Sequence, residues 1–100
     1  MLGNDRPIFI TRAIAEQLSG EHQLFILKYL HEHQANMNDY MQVFEFYIEN
    51  GEQWLIQRQE VPERETTVFV ELENEPAIDR TVWVMDQGHD GLIILFPEDY

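Results

Sequence analysis

Met41-Gln-Val-Phe-Glu-Phe-Tyr-Ile48, Glu49-Asn50-Gly51 and Glu52-Gln-Trp-Leu-Ile-Gln-Arg-Gln-Glu60 are two alternating runs joined by Asn-Gly, the strongest short-range signal for a β-hairpin. Glycine takes positive φ without a steric penalty, so the turn falls at Gly51. Two loops compete. A two-residue turn centred on Asn50 and Gly51 sets Glu49 opposite Glu52 and Phe44 opposite Gln57, which mixes faces and opposes like charges. A three-residue loop, Glu49-Asn50-Gly51, gathers Phe44, Phe46, Ile48, Trp54 and Ile56 on one face. It leaves Val43, Glu45, Tyr47, Gln53, Leu55, Gln57 and Gln59 on the wettable face, with Tyr47 and Leu55 exposed. At roughly 1.5 to 3 kcal/mol for each large apolar side chain fully buried, this division favours the three-residue loop.

Outward from the hairpin, Ile8-Phe9-Ile10-Thr11-Arg12 reads as a short strand, and Ala13 to Leu18 as either a helical turn or an extension of that strand. Ser19 has the chemistry of a helix N-cap, with Glu21 in the first turn facing the positive end of the helix dipole. The helix it opens runs to His33 or Gln34, with Leu24, Leu27, Tyr29 and Leu30 among its apolar positions. Val61-Pro62 interrupts the second hairpin strand, because proline removes a ladder donor. Thr66 to Leu72, Arg80 to Met85 and Leu92 to Phe96 are further strands, the last two forming a second hairpin around Asp86-Gln-Gly-His-Asp-Gly91. The expected fold is α+β: one main helix, about 20–34, packed on a five- to six-stranded, mainly antiparallel sheet.

One hundred residues, 44% of them hydrophobic, suit a single globular domain over 1–100. The longest apolar run, Leu92 to Phe96, is too short to span a bilayer, and no basic segment with an apolar signal core opens the chain. The expectation is a cytoplasmic protein. Without cysteine there is no disulfide, no thiolate nucleophile and no Cys-based zinc site. The net charge of −13 repels phosphate backbones and anionic lipids, so neither direct nucleic-acid binding nor membrane binding is expected. It attracts cations and basic proteins. Acidity is greater in the second half, where residues 51 to 100 hold 12 acidic and 3 basic side chains.

The chain resembles a family of small proteins of Gram-positive bacteria known as domain of unknown function family 960. The likeness covers nearly the whole chain. It rests on Ile10-Thr11-Arg12, on Glu21 with Gln23-Leu24-Phe25, and on Asp39-Tyr40-Met41-Gln42-Val43-Phe44-Glu45. Gln59-Glu60-Val61-Pro62-Glu63 and Val82-Trp83-Val84-Met85-Asp86 complete it, while Ala13-Ile14-Ala15 and Arg58-Gln59 depart from the family pattern. The resemblance implies a bacterial cytoplasmic protein and supplies no activity, cofactor or catalytic residue.

Residue by residue, chemistry is sparse. His31 and His33 lie two apart on a helix and diverge by roughly 200°, whereas metal sites use i,i+3 or i,i+4 spacing. They fit a helix C-terminus, where histidine complements the dipole. Ser19 and His22 have capping spacing and no visible third group to orient a nucleophile and base. The Asp86–Gly91 loop lacks the ligand spacing of a calcium loop. Carboxylate pairs such as Glu60 with Glu63 or Asp86 with Asp90 are too abundant to be diagnostic. No catalytic residue, cofactor or metal is therefore expected. The three-residue loop places Tyr40 opposite Glu60 and Gln42 opposite Arg58, so these four form the candidate polar cluster, structural or interacting, at the open end of the hairpin. The expected function is a non-enzymatic interaction or regulatory module, whose partner is another protein with a basic surface or a second copy of the chain. The alternatives are a nucleic-acid-mimicking inhibitor that uses the carboxylates of positions 60 to 75, and a small enzyme using carboxylates without a linear motif.

Overall fold

In the computed structural model, which describes residues 6–100, the chain runs β1 (Ile8–Ile10), α1 (Arg12–Gln17), α2 (Gly20–Glu32), β2 (Met41–Glu49), β3 (Glu52–Gln59), β4 (Arg64–Phe69), β5 (Arg80–Asp86) and β6 (Leu92–Leu95). The first five residues of the stretch read for a signal core lie outside the described ones. The six strands form one sheet in the order β1-β6-β5-β2-β3-β4. Only β1 with β6 is parallel; the other neighbours are antiparallel. The α+β expectation holds.

The hairpin register differs from the expected one. Asn50 and Gly51 both have positive φ, 53° and 77°, which is the two-residue turn whose twist matches that of the strands. Glu49 pairs with Glu52, Phe44 with Gln57 and Val43 with Arg58. Phe44 and Trp54 therefore lie on opposite faces, and the three-residue loop is wrong. Phe44 and Phe46 are buried as expected, but so are Leu55, Gln53, Gln57 and Gln59, while Ile48 is 48% exposed and Trp54 and Ile56 face away from the helices. Two physical terms reverse the balance. Glu49 and Glu52 are both exposed, where water and salt screen their repulsion. The glutamines, in turn, are buried with their hydrogen bonds made, and the described residues contain no buried side-chain polar atom without a partner.

Both helices start as their caps require. Thr11 Oγ1 accepts the Ile14 N–H at 3.2 Å, and Ser19 Oγ accepts the His22 N–H at 3.1 Å. The segment left open at 13–18 is thus helical. His33 closes α2 by hydrogen-bonding the Tyr29 carbonyl through Nδ1 at 3.0 Å. α2 turns His22, Ile26, Tyr29 and Leu30 inward, a stripe at helical spacing. These residues, with Ile14 and Leu18, pack on the sheet face bearing Phe44, Phe46, Leu55, Val82, Val84 and Ile94. β4 begins and ends earlier than the expected 66–72 strand, although Val70 still donates its N–H to Gln53 at 3.0 Å. Among the described residues no α-helix covers the other sheet face, and the short 3-10 turn Pro97–Asp99 only borders it beside Trp83.

Candidate functional site

On the helix-free face the cross-strand pairs fall in rows. Trp83, Val43, Arg58 and Glu65 are successive partners across four strands; Thr81, Glu45, Ile56 and Thr67 form the next row, and Tyr47, Trp54 and Phe69 the one after. Trp54 and Phe69 meet edge to face at 5.3 Å, and Trp83 meets Tyr100 at 6.0 Å. Both tryptophans of the chain stand on this face, each partly exposed. Between the aromatic ends, Arg58 forms an ion pair with Glu45. Tyr40, Glu45, Arg58, Glu60 and Trp83 help line a groove of about 480 Å³ there. Its walls combine ring faces with carboxylates, the pairing that attracts a guanidinium or ammonium group.

The expected cluster of Tyr40, Gln42, Arg58 and Glu60 is divided by the corrected register. Tyr40, Arg58 and Glu60 share the groove, but Gln42 is on the helix side, where it pairs with Val84 and is buried. Arg58 faces Val43, and no ladder pairs Tyr40 with Glu60. The open end is instead tied by Asp39, whose carboxylate accepts the N–H groups of Glu60 and Val61 at 3.2 and 3.0 Å. Partial burial pushes the Asp39 carboxyl upward, but the donated N–H groups of Val61, Glu60, Met41 and Tyr40 outweigh it and hold the pKa below its ordinary value.

Gln42 belongs to a buried amide network. Its Nε2 donates to Gln59 Oε1 at 2.8 Å, and its Oε1 accepts from Gln57 Nε2 at 2.8 Å. Gln59 also donates to the Pro62 carbonyl at 2.8 Å, so the network supplies loop backbone with partners that a strand would otherwise provide. A second such centre lies at the other end of the sheet. Gln53 Oε1 accepts the Ile78 N–H at 2.8 Å while its Nε2 donates to the Tyr47 and Ile78 carbonyls.

Sequence reasoning left Ser19 and His22 without a third group, and Gln53 is that group. His22 Nδ1 lies 2.6 Å from Ser19 Oγ, and Nε2 lies 2.9 Å from Gln53 Oε1. Since Gln53 Oε1 can only accept, Nε2 carries a proton, and the Ser19 hydroxyl, able to donate or accept, completes the bond at Nδ1. The Ser19 oxygen is at the same time the N-cap acceptor, so the trio anchors the start of α2 to the hairpin. The sequence signal was absent because Gln53 is distant in the chain and looked like a solvent-facing strand residue. Among the described residues no three His, Cys, Asp or Glu side chains form a metal-binding group.

The acidic stretch also has a structural tie. Glu21 in the first turn of α2 accepts the N–H groups of Glu73, Asn74 and Glu75 at 2.8 to 2.9 Å. The Glu73 bond, then the Asn74 bond, hold the Glu21 carboxyl below its ordinary pKa against partial desolvation. Asp86 is lowered by the bidentate Arg6 guanidinium, at 2.7 and 3.0 Å, which fixes the loop expected to be merely solvated.

A solved structure, described as the crystal structure of a protein of unknown function from Enterococcus faecalis, is similar to this chain with a TM-score of 0.83. The two share 17% identity, and the match covers 97% of this chain and 92% of the other, which establishes a common fold. No curated protein matches the chain. A family model described as a staphylococcal protein of unknown function, DUF960, matches residues 8–99. No helix among the described residues is long and apolar enough to cross a membrane.

Proposed function

The chain belongs to the staphylococcal family of unknown function DUF960, so its role has to be read from its own surface, and we propose a non-enzymatic interaction module of the bacterial cytoplasm that docks a basic protein on its helix-free sheet face. The observation that carries this reading is the aromatic and acidic composition of that face. Trp54, Trp83, Tyr47 and Ile56 remain partly in contact with water around the Glu45–Arg58 pair, where a second helix layer would normally bury such residues. The net charge of −13 adds long-range attraction for a basic partner and opposes self-association. The lack of cysteine suits a reducing compartment.

Because both tryptophans stand on this face, intrinsic fluorescence reports its occupancy directly. Titration with folded basic proteins should shift the emission saturably, with the effect weakened by added salt and by Trp83→Ala. A set of acidic proteins should leave the emission unchanged. Equal responses to acidic and basic proteins, or a response untouched by salt, would remove the charge argument. Light scattering on the protein alone, giving a dimer mass at all concentrations, would replace the basic partner with a second copy.

A further inference from the structure

β4 is an edge strand, and on its helix side Thr66 and Val68 line a cleft beneath α2. Since Val70 gives its N–H to Gln53 of β3, strand alternation also turns the backbone groups of Thr66 and Val68 toward β3. Those of Glu65, Thr67 and Phe69 then point away from the sheet. Beside this row, α2 stands off from the strand and leaves a cleft of about 210 Å³ lined by Phe25, Lys28, Tyr29, Thr66 and Val68. Tyr29, which is buried and stacks on His33 at 4.0 Å, forms the floor of this cleft beside Thr66. Past Phe25 and Lys28 the cleft opens into a second hollow that includes Leu24, which is 58% exposed, and Glu71.

An unpaired backbone row next to an apolar cleft is the arrangement by which a sheet accepts an added strand from an extended peptide. Charge decides the occupant. Two copies paired antiparallel about Thr67 would place Glu63 against Glu71, with a net charge of −13 on each chain. A basic segment meets Glu65 and Glu71 favourably. We infer that β4 and the α2–β4 cleft bind an extended basic segment of another protein as a seventh strand, with alternate apolar side chains entering between Phe25 and Val68. The intervening Lys or Arg residues lie beside Glu65 on the other face of the strand. This site is carried by the edge and the cleft, not by the helix-free face, and either can fail without the other.

The probe is an acetylated, amidated eight-residue peptide alternating lysine with valine, titrated into the uniformly 15N-labelled protein. Binding should slow hydrogen exchange at the Glu65, Thr67 and Phe69 amides and shift the Phe25 and Val68 resonances. Proline tolerates an edge position whose N–H faces solvent, so Thr67→Pro removes one outward donor while keeping the pairing with β3. It should weaken the peptide about tenfold. The same loss is expected on the native protein when the peptide is N-methylated at alternate residues, a result that does not depend on any variant folding. Replacing lysine by glutamate in the peptide should abolish binding. The proposal is overturned by no saturable binding at millimolar peptide, by shifts confined to Trp83 and Val43, or by equal affinity of the N-methylated peptide. Protection of the same three amides without peptide, rising with protein concentration, would give the edge to a second copy and also overturn it.

Discussion

His22 Nε2 donates to Gln53 Oε1 across 2.9 Å, joining the first turn of α2 to the start of β3 in a region where His22 is wholly buried. Gln53→Leu keeps the approximate volume but strands the imidazole N–H and the Ile78 N–H and C=O. With about 1 to 3 kcal/mol for each buried group left unpaired, and water able to rescue some, a loss of about 3 kcal/mol is expected in urea unfolding. A cost below about 1 kcal/mol would show that water replaces the amide. The nitrogen shifts of His22 should report a proton on Nε2.

The register makes adjacent β3 residues unequal. Leu55 is 0% exposed and packs under the helices, whereas Ile56 lies on the helix-free face. Leu55→Ala should cost about 2 to 5 kcal/mol, and Ile56→Ala about 1 kcal/mol or less. Denaturation midpoints measured side by side settle the order; the reverse order would restore the three-residue loop.

Gly91 has φ of 101°, and a Cβ at that position would stand 2.2 Å from the Pro7 carbonyl oxygen. That oxygen accepts the Leu92 N–H, the bond that leads β1 onto β6. Gly91→Ala therefore faces a strained dihedral and a backbone clash. A loss of about 2 kcal/mol, or about 10 °C in Tm, is expected in thermal unfolding. Faster amide exchange should appear first at Leu92, whose bond to Pro7 is displaced.

Glu21, Asp39 and Asp86 all have carboxyl groups held below their ordinary values in the folded chain. Such groups stabilise the fold above their unfolded pKa, about 4, and the contribution disappears as pH falls through the lower folded values. Stability should thus be level near neutrality and fall below about pH 4. Glu21→Gln should lower stability at pH 7 and flatten the acid limb, with faster exchange of the Glu73, Asn74 and Glu75 amides. Parallel pH curves for the two proteins would show that the carboxylate does not hold this loop.

The elements themselves were legible where a local rule acts alone. Ser19 capped α2, Gly51 took positive φ, and every expected strand exists. Legibility ended where polar and apolar residues exchange their usual places. Gln53, Gln57 and Gln59 alternate like a wet face yet are buried, because distant loops supply hydrogen-bond partners that no local window contains. Trp54 and Ile56 look like core yet face away from the helices. That exchange hid the register, and with it the separation of Gln42 from Tyr40, Arg58 and Glu60. The parallel pairing of β1 carries no turn signal, since its partner is the last strand of the sheet.

That pairing sets an order of events during synthesis. Ile8 meets Leu92 and Ile10 meets Ile94, so the strand made first waits for the strand made last. The β2–β3–β4 meander can assemble from neighbouring segments as they leave the ribosome, whereas β1 keeps Ile8, Phe9 and Ile10 unpaired until nearly the whole chain has emerged. A nascent chain stalled before β6 would hold the backbone of those three residues without its ladder partners, and release of the final strand is the step that supplies them, while the Ile8, Phe9 and Ile10 side chains stay in contact with water.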